Sequence, residues 1–251
     1  MIAALRSAWV ALNVAIATIP LSLIVLIAAL LRVRGPRPYD WASRAWSGWV
    51  LRTSGTRVRV EGIEHIGADR PQVIVSNHQS WYDVFALATT IPGRYRFIAK
   101  KELGRIPLFG PAWKAAGHIA IDRSDRASAV RSLDRAAATL QRDGSSVVVF
   151  PEGTRSPTGE LLPFKKGAFM LALYAGIEVV PAGVSGGRTV LKKGDWRVHK
   201  GEIIVRFGRP IPTASYSADN RDALIARVRR DVRELLDGRT LETTGNDVGD
   251  C

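Results

Sequence analysis

Val73-Ile74-Val75-Ser76-Asn77-His78-Gln79-Ser80-Trp81-Tyr82-Asp83-Val84-Phe85-Ala86-Leu87 passes from a strand end into a helix start, with polar residues crowded at the junction. The β-branched opening suits an enclosed strand, and the closing residues suit a helix. Ser80 with Asp83 three positions later has the form of a capping box, which puts Asp83 in the first helical turn. A strand running directly into a capped helix is a unit of α/β architecture.

The flanking sequence repeats that alternation from Thr56 onward. Strand candidates are Arg57 to Glu61, Gln72 to Ser76, Arg94 to Ala99, His118 to Asp122, Ser146 to Phe150, Glu178 to Val184 and Glu202 to Phe207. Between them, Ser124 to Arg142 and Ala218 to Leu236 carry the clearest helical patterns; in the latter Leu224, Ile225, Val228, Val232 and Leu235 form one face and Gly238 follows the end. These patterns predict an α/β fold with a mixed, largely internal sheet covered by helices. The tail from Arg239 is polar and reads as disordered.

Upstream lies a different kind of sequence. Ala8 to Leu31 is uncharged over 24 residues, about 36 Å as a helix, enough to cross a hydrocarbon core. Arg32-Val33-Arg34 follows where a cleaved leader would have small residues, so the run reads as a retained anchor with the rest of the chain on the cytoplasmic side. Pro20 favours a bend. After Gly35-Pro36-Arg37-Pro38, Tyr39 to Thr53 is a second helix candidate with Trp41, Trp46 and Trp49 among arginines, a combination suited to the headgroup layer. The expected division is a membrane-associated two-helix hairpin over 1–54, an α/β domain over 55–238 and a tail over 239–251. The hairpin is expected to dip into the cytoplasmic leaflet, with full spanning by its first helix as the alternative.

Charge points the same way. The net charge is +13, which calls for an anionic partner such as lipid headgroups, nucleic acid or a phosphorylated substrate. Within the first 60 residues, eight arginines stand against Asp40 alone. Nucleic-acid binding would set stacking aromatics on a basic face, whereas the tryptophans gather beside the apolar run; a membrane phospholipid surface is the expected partner, and no nucleic acid is. Cys251 is the single cysteine, so an intrachain disulfide or cysteine metal cluster is excluded.

Three segments carry chemistry. His78 stands two residues before the Ser80 cap, where its ring can fold back to Asp83; a carboxylate on one ring nitrogen fixes the tautomer and leaves the other nitrogen as a base. Val147-Val148-Val149-Phe150-Pro151-Glu152-Gly153-Thr154-Arg155-Ser156 is a buried strand ending in a tight turn. There Arg155 offers a planar fork of donors for phosphate oxygens, Thr154 a hydroxyl, and the backbone after Gly153 open amides. Lys100 and Lys101 at one strand exit and Arg123 at another add positive charge, with which lysine faces the site left open.

Asn77 to Asp83, Lys101 to Gly110, Phe150 to Ser156 and Val179-Val180-Pro181-Ala182-Gly183-Val184 resemble, in order and spacing, the four blocks of the glycerolipid acyltransferase family. The likeness covers roughly residues 55 to 210, and is to bacterial 1-acylglycerol-3-phosphate acyltransferases in particular. It implies His78 as general base, Asp83 as its orienting partner, and Lys101, Arg123, Glu152, Gly153, Thr154 and Arg155 as the phosphate and acceptor site. It also implies direct transfer of an acyl group from acyl-CoA or acyl carrier protein to lysophosphatidic acid, with no metal or resident cofactor, at the cytoplasmic face of a bacterial inner membrane. Another lysolipid or glycerol 3-phosphate as acceptor is the alternative within the family.

One competing motif stands outside these blocks. Gly183-Val184-Ser185-Gly186-Gly187 matches G-x-S-x-G, the serine-hydrolase elbow, which demands a following helix and later acid and histidine partners. Arg188 to Trp196 shows no apolar helical stripe, and Asp195 and His199 are the nearest later candidates.

Overall fold

The computed structural model describes residues 2–33, 35, 37–122, 136–138, 140 and 144–238. In chain order the elements are α1 (Ile2–Leu30), α2 (Arg37–Ser54), β1 (Thr56–Glu61), β2 (Val73–Ser76), α3 (Trp81–Thr90), β3 (Tyr95–Lys100), α4 (Phe109–Ala115), β4 (Ile119–Ile121), β5 (Ser146–Val149), α5 (Gly167–Ala175), β6 (Val179–Ser185), α6 (Gly187–Val190), β7 (Gly201–Phe207) and α7 (Arg221–Leu236). All seven expected strands form, each within a residue or two of its expected bounds. Residues 136–138 and 140 are helical; the remainder of the helix expected over 124–142, and the tail from 239, lie outside the described residues.

The strands make one sheet in the order β1-β7-β6-β2-β5-β3-β4. Pairing is parallel except between β6 and β7, so the sheet is mixed, as the alternating pattern predicts. Strands β2, β3, β4, β5 and β6 run the same way, which brings their carboxyl ends, and the loops that follow, to one edge. Open sheets of this kind place ligands at that edge.

Successive strand residues serve opposite faces. Ile74, Val148 and Val180 face α2 and α3, whereas Val73, Val75, Val147 and Val179 face α5 and α7. Such double-sided burial explains why β2 and β5 read as unbroken apolar runs instead of alternating ones.

The N-terminal hairpin is built into this core. Val10 of α1 and Val50 and Leu51 of α2 are buried in the same cluster as Ile74 and Val148. Asp40 of α2 accepts from Arg96 Nη1 of β3 at 2.6 Å, with both side chains almost fully enclosed. Helix α1 starts at Ile2, earlier than the uncharged run, and continues through Pro20. Its outer face leaves Leu5, Trp9, Leu12, Ile16, Ile19 and Ile27 exposed, a stripe at helical spacing along a helix long and apolar enough to cross a bilayer.

The three tryptophans of α2 divide. Trp41 and Trp49 are exposed, as an interfacial position requires, but Trp46 faces inward. It packs edge-on to Phe85 at 5.3 Å and donates Nε1 to Thr18 Oγ1 at 2.9 Å. Its amphipathic ring serves the joint between α1, α2 and α3 and not the headgroup layer.

Candidate active site

The β2–α3 junction folds as its sequence dictates. Ser80 is the N-cap of α3, and the reciprocal capping box with Asp83 is complete. Asp83 is fully buried, yet its Oδ2 collects three donors: the amides of Gln79 at 2.6 Å and Ser80 at 2.7 Å, and His78 Nδ1 at 3.0 Å. The cap that starts the helix thereby holds the carboxylate against the imidazole. With the carboxylate accepting from Nδ1, the neutral ring keeps Nε2 as its acceptor.

Neighbouring groups immobilise the histidine. Its ring stacks on Phe150 with centroids 4.0 Å apart. The His78 amide donates to Glu152 Oε1 at 2.7 Å, and the His78 carbonyl accepts from the Ser156 amide at 2.7 Å. Asn77 bridges to β6, donating Nδ2 to the Val184 carbonyl and accepting from the Val184 amide at 2.7 Å. The histidine loop is therefore pinned from β5 and β6 at once.

Glu152 was expected beside a bound phosphate. Its side chain instead points inward, with only 4% of the residue exposed, and its other oxygen accepts from the Leu162 amide at 3.1 Å. Burial, reinforced by the charge of Asp83, pushes its carboxyl up to about 7 against the two amide bonds that favour ionisation. Glu152 thus ties the turn to the histidine loop from within.

Outside it, Arg155 lies over the Trp81 ring, 5.0 Å from guanidinium carbon to centroid, and burial lowers its pKa from the ordinary value. Gly153 adopts φ +74°, the left-handed turn position glycine allows, and its amide donates to the Phe150 carbonyl. Among the described residues the amides of Thr154 and Arg155 have no protein acceptor, so the open donors lie after the glycine. Lys101 opens a 3-10 segment beyond β3 and pairs with Asp122, while Lys100 is exposed. Arg123 lies outside the described residues.

Two further cations around the turn are not marked by any motif in the sequence. Lys193 Nζ donates to the Arg155 carbonyl at 2.7 Å and to Thr154 Oγ1 at 3.3 Å. Arg188 donates to the Pro157 carbonyl at 3.3 Å. Arg188 sits in the one-turn helix α6 and Lys193 in the loop after it, both beyond the fourth block in sequence that gives no periodic signal of its partner.

An apolar cleft of about 100 Å³ opens between α1, α2, α4 and β3, lined by Leu21, Val25, Trp46, Phe97, Phe109 and Trp113 among others. Phe97 connects it to the site, stacking on Phe150 at 6.4 Å. His118, on the cleft wall, accepts from the Phe97 amide through Nδ1 at 3.0 Å. Burial first, and Arg96 second, hold it neutral with a pKa lowered to about 3.

Among the described residues the hydrolase alternative finds no triad. Ser185 lies within β6, paired with Ile204, Asp195 is bonded to Arg197 at 3.0 Å, and His199 is exposed.

The acyltransferase family model matches residues 57–185, which span His78, Asp83 and the turn from Glu152 to Arg155. The chain belongs to the acyltransferase family. Human 1-acyl-sn-glycerol-3-phosphate acyltransferase alpha is 39% identical over 196 residues, 78% of this chain and 69% of that one. The coconut (Cocos nucifera) 1-acyl-sn-glycerol-3-phosphate acyltransferase is 32% identical over 222 residues, 87% of this chain and 70% of that one. The crystal structure of the 1-acyl-sn-glycerophosphate acyltransferase PlsC from Thermotoga maritima superposes with a TM-score of 0.77 at 28% identity, over 92% of this acyltransferase and 95% of that chain.

Proposed function

We propose that the acyltransferase moves a fatty acyl group from acyl-CoA or acyl carrier protein to the sn-2 hydroxyl of lysophosphatidic acid, giving phosphatidic acid for phospholipid synthesis. The observation that carries this reading is the His78–Asp83 bond at 3.0 Å, at the strand edge that also carries the Arg155 turn. His78 Nε2 takes the hydroxyl proton as the lipid oxygen attacks the thioester carbonyl, and Asp83 stabilises the imidazolium. Collapse of the tetrahedral intermediate breaks the carbon–sulfur bond, and the proton passes from His78 to the leaving sulfur. A thioester arrives already activated, so the residues themselves supply what remains: a base, amide donors from Thr154 and Arg155 for the developing oxyanion, and the Arg155 guanidinium for the lipid phosphate.

The exposed stripe of α1, with Trp41 and Trp49, supports membrane attachment through residues 1–54, with 55–238 lying at the cytoplasmic face of a bacterial inner membrane. The cleft between hairpin and sheet is apolar and suits an acyl chain drawn from that surface. Purified protein with labelled acyl donor and lysophosphatidic acid tests the reading. His78→Ala should lose about 10²-fold or more in turnover while keeping its thermal transition, and near-normal turnover would remove the dyad from the mechanism.

A further inference from the structure

Asp83 uses its two oxygens unequally. Oδ2 receives every donor described above, whereas Oδ1, equally buried, has no hydrogen-bond partner. Gly187, first residue of α6, lies directly against Oδ1. A Cβ at position 187 would come closer to Oδ1 than the 3.0 Å real Cβ atoms respect, and would stand 3.1 Å from Ser80 Cβ.

The two adjacent glycines serve different ends. Gly186 has φ +86°, which favours glycine by conformation. Gly187 has no positive φ, so its backbone suits any residue, and only the space beside the carboxylate demands a bare Cα. That space cannot widen easily. Ser80 Oγ donates to the Leu191 carbonyl at 2.8 Å, and the Leu191 amide donates to the Gly187 carbonyl at 3.0 Å, which fasten α6 onto the start of α3. The carboxylate is likewise fixed through Oδ2 in the capping box.

We infer that Gly187 is a positioning residue of the proton relay: its bare Cα closes the wall behind Asp83, excludes water from Oδ1 and leaves the carboxylate one orientation, with Oδ2 toward His78. This rests on the His78–Asp83 reading above, and it gives the G-x-S-x-G look-alike a role in which Ser185 has no part. A methyl at 187 turns the carboxylate and breaks the bond to Nδ1; displacement of about 1 Å in such a constellation costs on the order of 10²-fold in rate.

The test compares wild type, Gly187→Ala, Ser185→Ala, Asp83→Ala and the Asp83→Ala/Gly187→Ala double variant in detergent. Gly187→Ala should lose about 10²-fold in kcat with the acceptor KM within about twofold, and should lose the low-field proton resonance of His78 Nδ1–H; Ser185→Ala should keep both. Because loss of the carboxylate in Asp83→Ala removes the closest contact and leaves only the 3.1 Å approach to Ser80 Cβ, Gly187→Ala should lower Tm much more in the wild-type background than in the Asp83→Ala background. Equal Tm losses in both backgrounds, or a double variant that fails to fold where Asp83→Ala folds, would overturn the inference, as would near-normal kcat with the resonance intact. The Tm comparison does not depend on catalysis, so an active His78→Ala would sink the dyad while leaving the contact between residues 83 and 187 separately decided.

Discussion

The ring of His78 lies on the ring of Phe150, centroids 4.0 Å apart and planes 17° from parallel. The aromatic residue at the end of β5 thus supports the imidazole from one side while Asp83 holds it from another. An aromatic pair contributes about 0.5–1.5 kcal/mol beyond its buried area. Phe150→Leu keeps an apolar contact and removes the flat support, so kcat should fall about tenfold with a small loss of Tm; steady-state kinetics beside a thermal melt checks both.

Glu152 keeps its proton in the folded chain up to about pH 7, against a reference value of 4.5. Between those values the folded state binds the extra proton, so the stability of wild type relative to Glu152→Gln should fall as pH rises from about 4.5 to 7 and flatten above it. Denaturant midpoints of both proteins at pH 5, 6, 7 and 8 give the difference; a wild type that gains stability relative to Glu152→Gln as pH rises would reverse the assigned direction. In activity the sign is opposite. The ionised carboxylate is the better acceptor for the His78 and Leu162 amides, and turnover should decline as Glu152 is protonated below pH 7.

Lys193 and Arg155 should act as one unit. The lysine donates to the carbonyl of the arginine, so Lys193→Ala lets the turn move even with the guanidinium present. Each single variant should raise the acceptor KM, and the double variant should cost less than the sum of the two free-energy losses. Strict additivity would separate Lys193 from the turn, and an unchanged KM and kcat in Arg155→Ala would make the arginine a bystander.

The strands and the dyad were legible because their signals are local. β-branched runs specify β2 and β5, and Ser80 and Asp83 sit within one helical turn, where capping geometry fixes distance from spacing alone. Partners from distant segments left no such trace. Trp46 reads like its neighbours Trp41 and Trp49, and only packing against Phe85 turns it inward. The inward turn of Glu152 depends on the Leu162 amide ten residues on, and the contact of Gly187 with Asp83 joins segments about a hundred residues apart. Long-range contacts of this kind are set by topology and not by periodicity.

The hairpin prediction follows from Asp40 and Arg96. Removing 1–54 would do more than free the protein from lipid, because it would take Val10, Val50 and Leu51 out of the core cluster and leave Arg96 without its carboxylate. A narrower change isolates that link. Asp40→Ala strands a guanidinium whose side chain is only 8% exposed, and breaking a buried pair from one side costs about 3–5 kcal/mol. Unfolding of Asp40→Ala in detergent should therefore shift by that amount while the protein stays with the membrane fraction, since the exposed stripe of α1 is untouched. A shift within about 0.5 kcal/mol would mean that hairpin and sheet are energetically independent. A full shift in one cooperative transition would make the two helices part of the same folding unit as the site they carry.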